Sequence, residues 1–232
     1  MKSKKKRRWK KYAYEFLSIF IAVISAFALN NWNDNRKDNQ AEEKILEEIL
    51  HGLEKDIEDV QLNVKGHEFG LKANVFWRRV ISNKATNMDT LQAFYFNSFR
   101  DFISIQNTSG YENLKSRGLE LIKNDSLRTD IISLYEYDFN TLRTLEEDYA
   151  EMQFHNSYFK EINDYIAPNL QFDSQGKIIG IKQPLRLSEA DKNTFFSYLW
   201  KIDANRNFIL SFYGQIETNI NELKEKIEEE RK

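Results

Sequence analysis

The sequence predicts an all-α protein: an N-terminal transmembrane helix followed by an antiparallel bundle of three long helices with short capping helices. Three observations predict it. Only 8 Gly and 2 Pro occur among 232 residues, too few turn-formers for a many-stranded architecture. An apolar run near the N-terminus is helical in composition and close to the length a bilayer requires. Two distant stretches repeat apolar residues at alternating spacings of four and three, the mark of packed helix seams.

The first element is a basic tail, residues 1–11, which holds Lys2, Lys4, Lys5, Lys6, Arg7, Arg8, Lys10 and Lys11 and no acid. These bases mask the charge of the rest: the whole chain has 34 basic and 36 acidic residues, so the portion beyond the tail is strongly acidic. An acidic domain argues against nucleic acid as a partner. The apolar run that follows the tail points to the lipid bilayer instead.

Residues 12–29 form the predicted transmembrane helix, roughly 27 Å long at about 1.5 Å per residue. Trp9 and Tyr12 at one end and Trp32 at the other stand where interfacial aromatic anchors belong. The positive-inside rule places the N-terminus in the cytoplasm and the C-terminal domain in the periplasm of an inner-membrane, single-pass protein. Glu15 is the ionisable side chain of the run, and it either reaches the inner headgroup layer or makes a polar contact between membrane helices. Ser18, Ala22 and Ala26 fall at i, i+4 and i+8, a small-residue stripe that permits close packing with another membrane helix or a second copy. Ala26-Phe27-Ala28 has the small-x-small form of a signal-peptidase site, so cleavage after Ala28 is the rival reading.

Residues 30–232 form one domain. Asn30 to Gln40 is polar but contains no Gly or Pro, so nothing forces a break. Leu46, Leu50, Leu53, Ile57, Val60 and Val64 define the first seam, on a helix over 40–82 that is weakened by Gly66 and Gly70. Asn87-Met-Asp89 precedes an aromatic-rich helical stretch with Phe94, Tyr95, Phe96, Phe99 and Phe102. Thr108-Ser-Gly110 then breaks the chain before a short helix from Tyr111 to about Lys123. A second long helix is expected over 126–166, capped by Asp125 or Ser126. Between Pro168 and Pro184 the pattern fits either a small β-hairpin or an irregular loop. Ser188 with Asp191 resembles a capping box that opens a last helix over 188–230, whose seam is Ile209, Tyr213, Ile216, Ile220, Leu223 and Ile227. Three helices in alternating directions would carry 84–125 to the far end of the bundle and leave Pro168–Pro184 beside the bilayer.

Catalytic chemistry finds little support. No cysteine is present, which removes thiolate nucleophiles, disulfides and Cys-based metal sites. Phosphate-binding loops, dinucleotide fingerprints and nucleophile elbows are absent. Glu147, Glu151 and His155 share the spacing of one helix face and could gather metal ligands, but they read as an ordinary solvated helix face, since the paired Glu-x-x-His motifs of a di-iron bundle are missing. No cofactor and no metal are expected.

Two segments carry a resemblance. Glu15 through Arg36, an apolar run ending Leu-Asn-Asn-Trp-Asn-Asp-Asn-Arg, resembles the anchor of an uncharacterised family of bacterial single-pass membrane proteins, a domain of unknown function. Ser109-Gly-Tyr-Glu-Asn-Leu-Lys-Ser-Arg-Gly118 and the following residues to Arg128 resemble that family's internal motif. The resemblance implies a Gram-negative envelope protein with an uncleaved N-terminal helix, and implies no activity. This chain departs from the family in having Tyr14, where Gly commonly precedes the Glu, and in its longer basic tail. Within the internal motif, Gly110 and Gly118 would allow a tight turn and a helix end; the motif reads first as a corner docking a short helix onto the bundle, and Asn113, Lys115, Ser116 and Arg117 form a candidate partner surface. The expected function is a non-enzymatic membrane-anchored scaffold or protein-binding module that meets another envelope protein. The alternative is a transmembrane sensor or channel-like effector acting through helix association.

Overall fold

The computed structural model describes residues 2–232, with side chains for Trp9 and residues 12–232. The side chains of the basic tail other than Trp9 lie outside the described residues. The chain begins with one uninterrupted helix, α1, from Lys2 to Ile81. With 80 residues it is about 120 Å long. Neither Gly nor Pro interrupts it before Gly52. It stops where Asn83 adopts φ 51°, a left-handed position that a short polar side chain tolerates. Arg78 and Arg79 in the last turn complement the negative end of the helix dipole.

Every position of α1 from Tyr12 to Gln40 is exposed, and burial begins at Ile45 and Leu46. In the expected seam Leu46, Leu53 and Val60 are fully buried, while Leu50, Ile57 and Val64 pack half-buried at its flank. The buried face is centred one step round the helix, through Ile45, Ile49, Asp56, Asn63 and His67.

The path after α1 differs from the expected alternation. Residues 88–97, a 3-10 turn and the helix α2 (Leu91–Asn97), cover the far end of the domain. The chain then turns through Ser98 and Phe99 and comes back as an irregular strap over 100–108, alongside α1. The strap ends at helix α3 (Ser109–Arg117), which packs against the near end of α1: a Cβ on Gly110 would lie 2.8 Å from the Ile49 backbone nitrogen. Gly110 therefore serves close helix approach rather than a turn. Gly118, at φ 103°, is the helix end.

Because the strap has already made the return journey, the second layer runs outward, parallel to α1. It opens with α4 (Asp125–Ile132), capped by Asn124, whose side chain accepts from the amides of Ser126 and Leu127. The cap lies one residue before the expected Asp125 or Ser126 because Asn124 is the residue with extended backbone there. A π-helical segment, Ser133–Asp138, joins α4 to α5 (Phe139–Glu147). The long helix expected to reach 166 is interrupted after Glu147. The Asp101 carboxylate accepts from the Phe154 amide at 2.6 Å and the His155 amide at 3.3 Å, so the strap itself caps the restart. Helix α6 (Lys160–Ile166) completes the layer.

The segment after Pro168 is a hairpin of β1 (Leu170–Phe172) and β2 (Ile178–Ile181), with Leu170 opposite Ile181 and Gly176 at φ 78° in the turn. It lies at the far end, not beside α1's apolar segment: Gln92 donates to the Ile178 carbonyl, and the Leu185 amide donates to Asn83. Helix α7 (Glu189–Glu230) starts with a full capping box between Ser188 and Asp191. It returns antiparallel to α1, so that Arg231 meets Glu47 and Glu230 meets Asn124. All six residues of its expected seam are buried.

Candidate functional site

The first candidate region is the bare segment of α1. One helix among the described residues is long and apolar enough to cross a membrane, and its apolar window has no burial within the protein. Phe16, Ile19, Phe20, Phe27 and Leu29 are all open to the surroundings. Exposing such a run to water is unfavourable by roughly 1.5–3 kcal/mol per large side chain, so the segment needs an apolar cover. Ser18, Ala22 and Ala26 lie along one side of this exposed helix, and the Ser18 hydroxyl donates to the Glu15 carbonyl at 2.9 Å. Trp9 and Tyr12 at one end and Trp32 at the other are exposed, and the Arg36 guanidinium stands 6.0 Å over the Trp32 ring.

The second candidate region, Asn113, Lys115, Ser116 and Arg117, lies on α3, and its polar groups are engaged within the protein. Asn113 donates to Glu48 of α1 at 2.7 Å. Lys115 bridges Glu112 at 3.3 Å and Glu136 at 3.1 Å. The Ser116 hydroxyl donates to the Asn113 carbonyl, and Arg117 Nε donates to the Asn113 side chain. These contacts fasten α3 to α1 and to the π-helical segment; Lys115, Ser116 and Arg117 remain exposed.

Sequence reasoning missed a buried polar centre that crosses the bundle. Arg206 of α7 is fully buried, with its guanidinium 4.1 Å from the centroid of the Phe154 ring. It donates to the carbonyls of Ser98 and Arg100 at 3.1 and 3.2 Å and lies 3.0 Å from His67 Nδ1. Burial, opposed by the charges of Asp101 and Asp203, lowers its pKa to about 10. Burial and then the neighbouring Arg206 charge lower that of His67 to about 3, so this imidazole is neutral. A neutral ring presents Nδ1 as the acceptor for the guanidinium. Gly70 is required here, since a Cβ would stand 2.5 Å from Arg206 Cζ. Gly66 makes the same room for Phe102, whose ring would be 2.3 Å from a Cβ.

Beside this centre, carboxylates hold the strap by its backbone. Glu146 accepts from the Ser104 amide at 3.0 Å, Asp59 from the Ile105 amide at 2.9 Å, and Asp56 from the Asn107 amide at 2.7 Å. Tyr213 also donates to Glu146. Burial raises the pKa of Glu146, and raises that of Asp56 to about 7 against the opposing Asn107 hydrogen bond. A signal for this centre was present: Asp56, Asn63 and His67 interrupt an apolar face at helical spacing, and buried polar groups are kept where they have partners.

Glu147, Glu151 and His155 do not share a helix face, because α5 ends at Glu147. Glu151 pairs with Lys201, and the His155 ring stacks on Phe159 at 4.8 Å. Among the described residues no group of three or more His, Asp or Glu side chains is arranged to hold a metal ion. No protein-family model, curated protein or solved structure matches the chain.

Proposed function

We propose that the protein is a non-enzymatic, membrane-anchored scaffold or protein-binding module of the bacterial envelope, as the family resemblance of Glu15–Arg36 also suggests. The observation that carries this reading is the continuity of α1, whose apolar segment is bare while its remainder forms one wall of the bundle. A helix built this way fixes the domain relative to a bilayer without a flexible linker. Polar groups with strongly perturbed titration, among them His67, Arg206 and Asp56, are enclosed by the fold and hold its parts together. The basic tail supports an inner-membrane location with a cytoplasmic N-terminus and a periplasmic domain.

Two measurements test the reading. Alkaline carbonate extraction should leave the full chain in the membrane pellet, and a C-terminal alkaline phosphatase fusion should be active. Release into the supernatant, or activity only of a cytoplasmic reporter, refutes it. Crosslinking in intact cells should return a reproducible non-self partner; its consistent absence refutes the binding role.

The unbroken path from the Ser18–Ala22–Ala26 stripe to His67 favours a second reading, in which association of membrane helices is signalled to the domain. A Glu15→Leu variant that is folded and correctly placed but inactive in the cell favours this reading; full activity refutes it.

A further inference from the structure

The outer face of α7 differs in kind from the outer face of α1. On α1 most exposed positions beyond Ile45 are charged, among them Glu54, Glu58, Lys65, Glu68 and Lys72. That is what a solvated helix face in a chain with 30% charged residues should look like. On α7 the exposed positions from Asn193 to Thr218 are uncharged, and the half-exposed charged side chains that border them, Lys201, Asp203 and Glu217, are tied to Glu151, Arg78 and Gln61. Trp200, 66% exposed, and Phe208, 51% exposed, project from this face. Between and beyond them Ala204, Ser211 and Gly214 are small, and a Cβ on Gly214 would meet nothing within 4 Å. The result is a lane of low side chains flanked by two large aromatic ones.

The lane keeps a helix-packing rhythm. Ala204, Phe208, Ser211, Gln215 and Thr218 are spaced 4, 3, 4 and 3, a second seam on the side of α7 away from its own core. The same rhythm continues into Glu222, Glu225 and Glu229, all exposed. The face is therefore neutral over its middle and carries three carboxylates toward the end where α1 enters, where the exposed Lys226 among them is paired with Asp130 of α4. Exposed aromatics beside small neutral residues are also the composition of an interface centre, where charges are depleted and large aromatics dominate the binding energy.

We propose that this face of α7 docks one helix of another envelope protein, a helix with a small or aliphatic stripe against Trp200 to Thr218 and Lys or Arg side chains against Glu222, Glu225 and Glu229. The charge pattern selects this occupant. Two copies anchored in one membrane lie parallel, which sets each acidic end beside its own image and repels a self-pair. A basic-ended partner gains at the position where a second copy loses. The proposal rests on the binding-module reading and specifies its surface.

The test uses the full chain in its native membrane, with a photoreactive residue at Ser211 or, as the control, at Glu58 on the charged face of α1. The expected result is a non-self adduct from position 211 and none from 58. The adducted peptide should be an amphipathic helix ending in basic residues. The combined Trp200→Ser and Phe208→Ser variant should lose the adduct at least tenfold, and Glu222→Lys with Glu225→Lys should weaken it. Thermal unfolding of both variants should match the parent, because all four side chains are exposed. Adducts only between copies, equal labelling from 58, no adduct from 211, or indifference to both variants overturns the proposal. A non-self adduct from 58 alone overturns this surface and leaves the binding module intact, whereas lysine-reactive crosslinking with no partner anywhere removes both.

Discussion

Two glycines in helices should respond to alanine with opposite signs. A Cβ on Gly110 would lie 2.8 Å from the Ile49 nitrogen and 2.9 Å from the Glu48 carbonyl carbon, both backbone atoms of α1. Ordinary Cβ contacts begin near 3.4 Å, so α3 must retreat by about half an ångström or α1 must bend. Overpacking of this kind costs about 1–3 kcal/mol. The gain in helix propensity, at most about 1 kcal/mol, is smaller at the first turn of α3. The net effect of Gly110→Ala is a loss of about 1–2 kcal/mol, or roughly 2–8 °C in Tm for a domain of this size. Gly214 lies in the middle of α7 with nothing within 4 Å of its Cβ position. There the propensity gain is unopposed, and Gly214→Ala should stabilise by about 0.5–1 kcal/mol. The assay is far-UV circular dichroism of the full chain in detergent micelles, heated at a fixed rate. A Gly110→Ala protein as stable as the parent, or a Gly214→Ala protein less stable than it, would refute the packing argument.

The remaining predictions concern the polar centre and the helix caps. His67 has a pKa near 3, below its ordinary value of 6.5, so its contribution to stability is complete above pH 6.5 and is lost as pH falls toward 3. His67→Gln should remove a loss of about 2 kcal/mol at pH 5, read as a shallower acid decline in Tm. Asp56 has the opposite sign: its pKa near 7 lies above the ordinary 3.8, so ionisation opposes folding above pH 7 and this cost disappears as pH falls toward 3.8. Asp56→Asn should therefore exceed the parent in stability at pH 8 and converge with it near pH 4 in the same titration. Arg206→Leu removes the donors to the Ser98 and Arg100 carbonyls and should lower stability by about 3–5 kcal/mol in urea unfolding. Asn124→Ala uncaps α4 and should cost about 1 kcal/mol in that assay; an unchanged midpoint would mean the cap is replaced by solvent.

The elements that depend on local pattern were legible in the sequence. The apolar segment after residue 11, the seam from Ile209 to Ile227, the Ser188–Asp191 box and the hairpin option around Gly176 all rest on neighbours within one turn or one strand pair. The route of the strap was not legible, because its partners are distant. Ile103 and Ile105, two apart, hint at extended backbone in Asp101–Asn107 but not at where it docks; Asp56, Asp59 and Glu146, from two separate helices, claim its amides. Missing the strap reversed the direction of both later helices and put the hairpin at the wrong end. By propensity alone Gly66 and Gly70 are weak points of a helix, whereas in the structure they are the places where Phe102 and Arg206 reach α1. The break after Glu147 carries no Gly or Pro and follows from Asp101 capping the next segment. On the candidate surfaces, the stripe on α1 was readable as spacing alone. The uncharged face of α7 emerged only when burial separated its inner seam from its outer one.

The antiparallel arrangement of α1 and α7 has a mechanical consequence. A pull on the bare N-terminal segment of α1, resisted by anything gripping α7, would load the two helices along their lengths in opposite directions. The ties between them are spread over the whole overlap, from Glu47–Arg231 through Gln61–Glu217 to Arg78–Asp203. Under such shear these ties share the force and must yield together, unlike a zipper that opens one rung at a time. Tension applied through that segment would then be borne by the domain as a whole before any single helix peeled away.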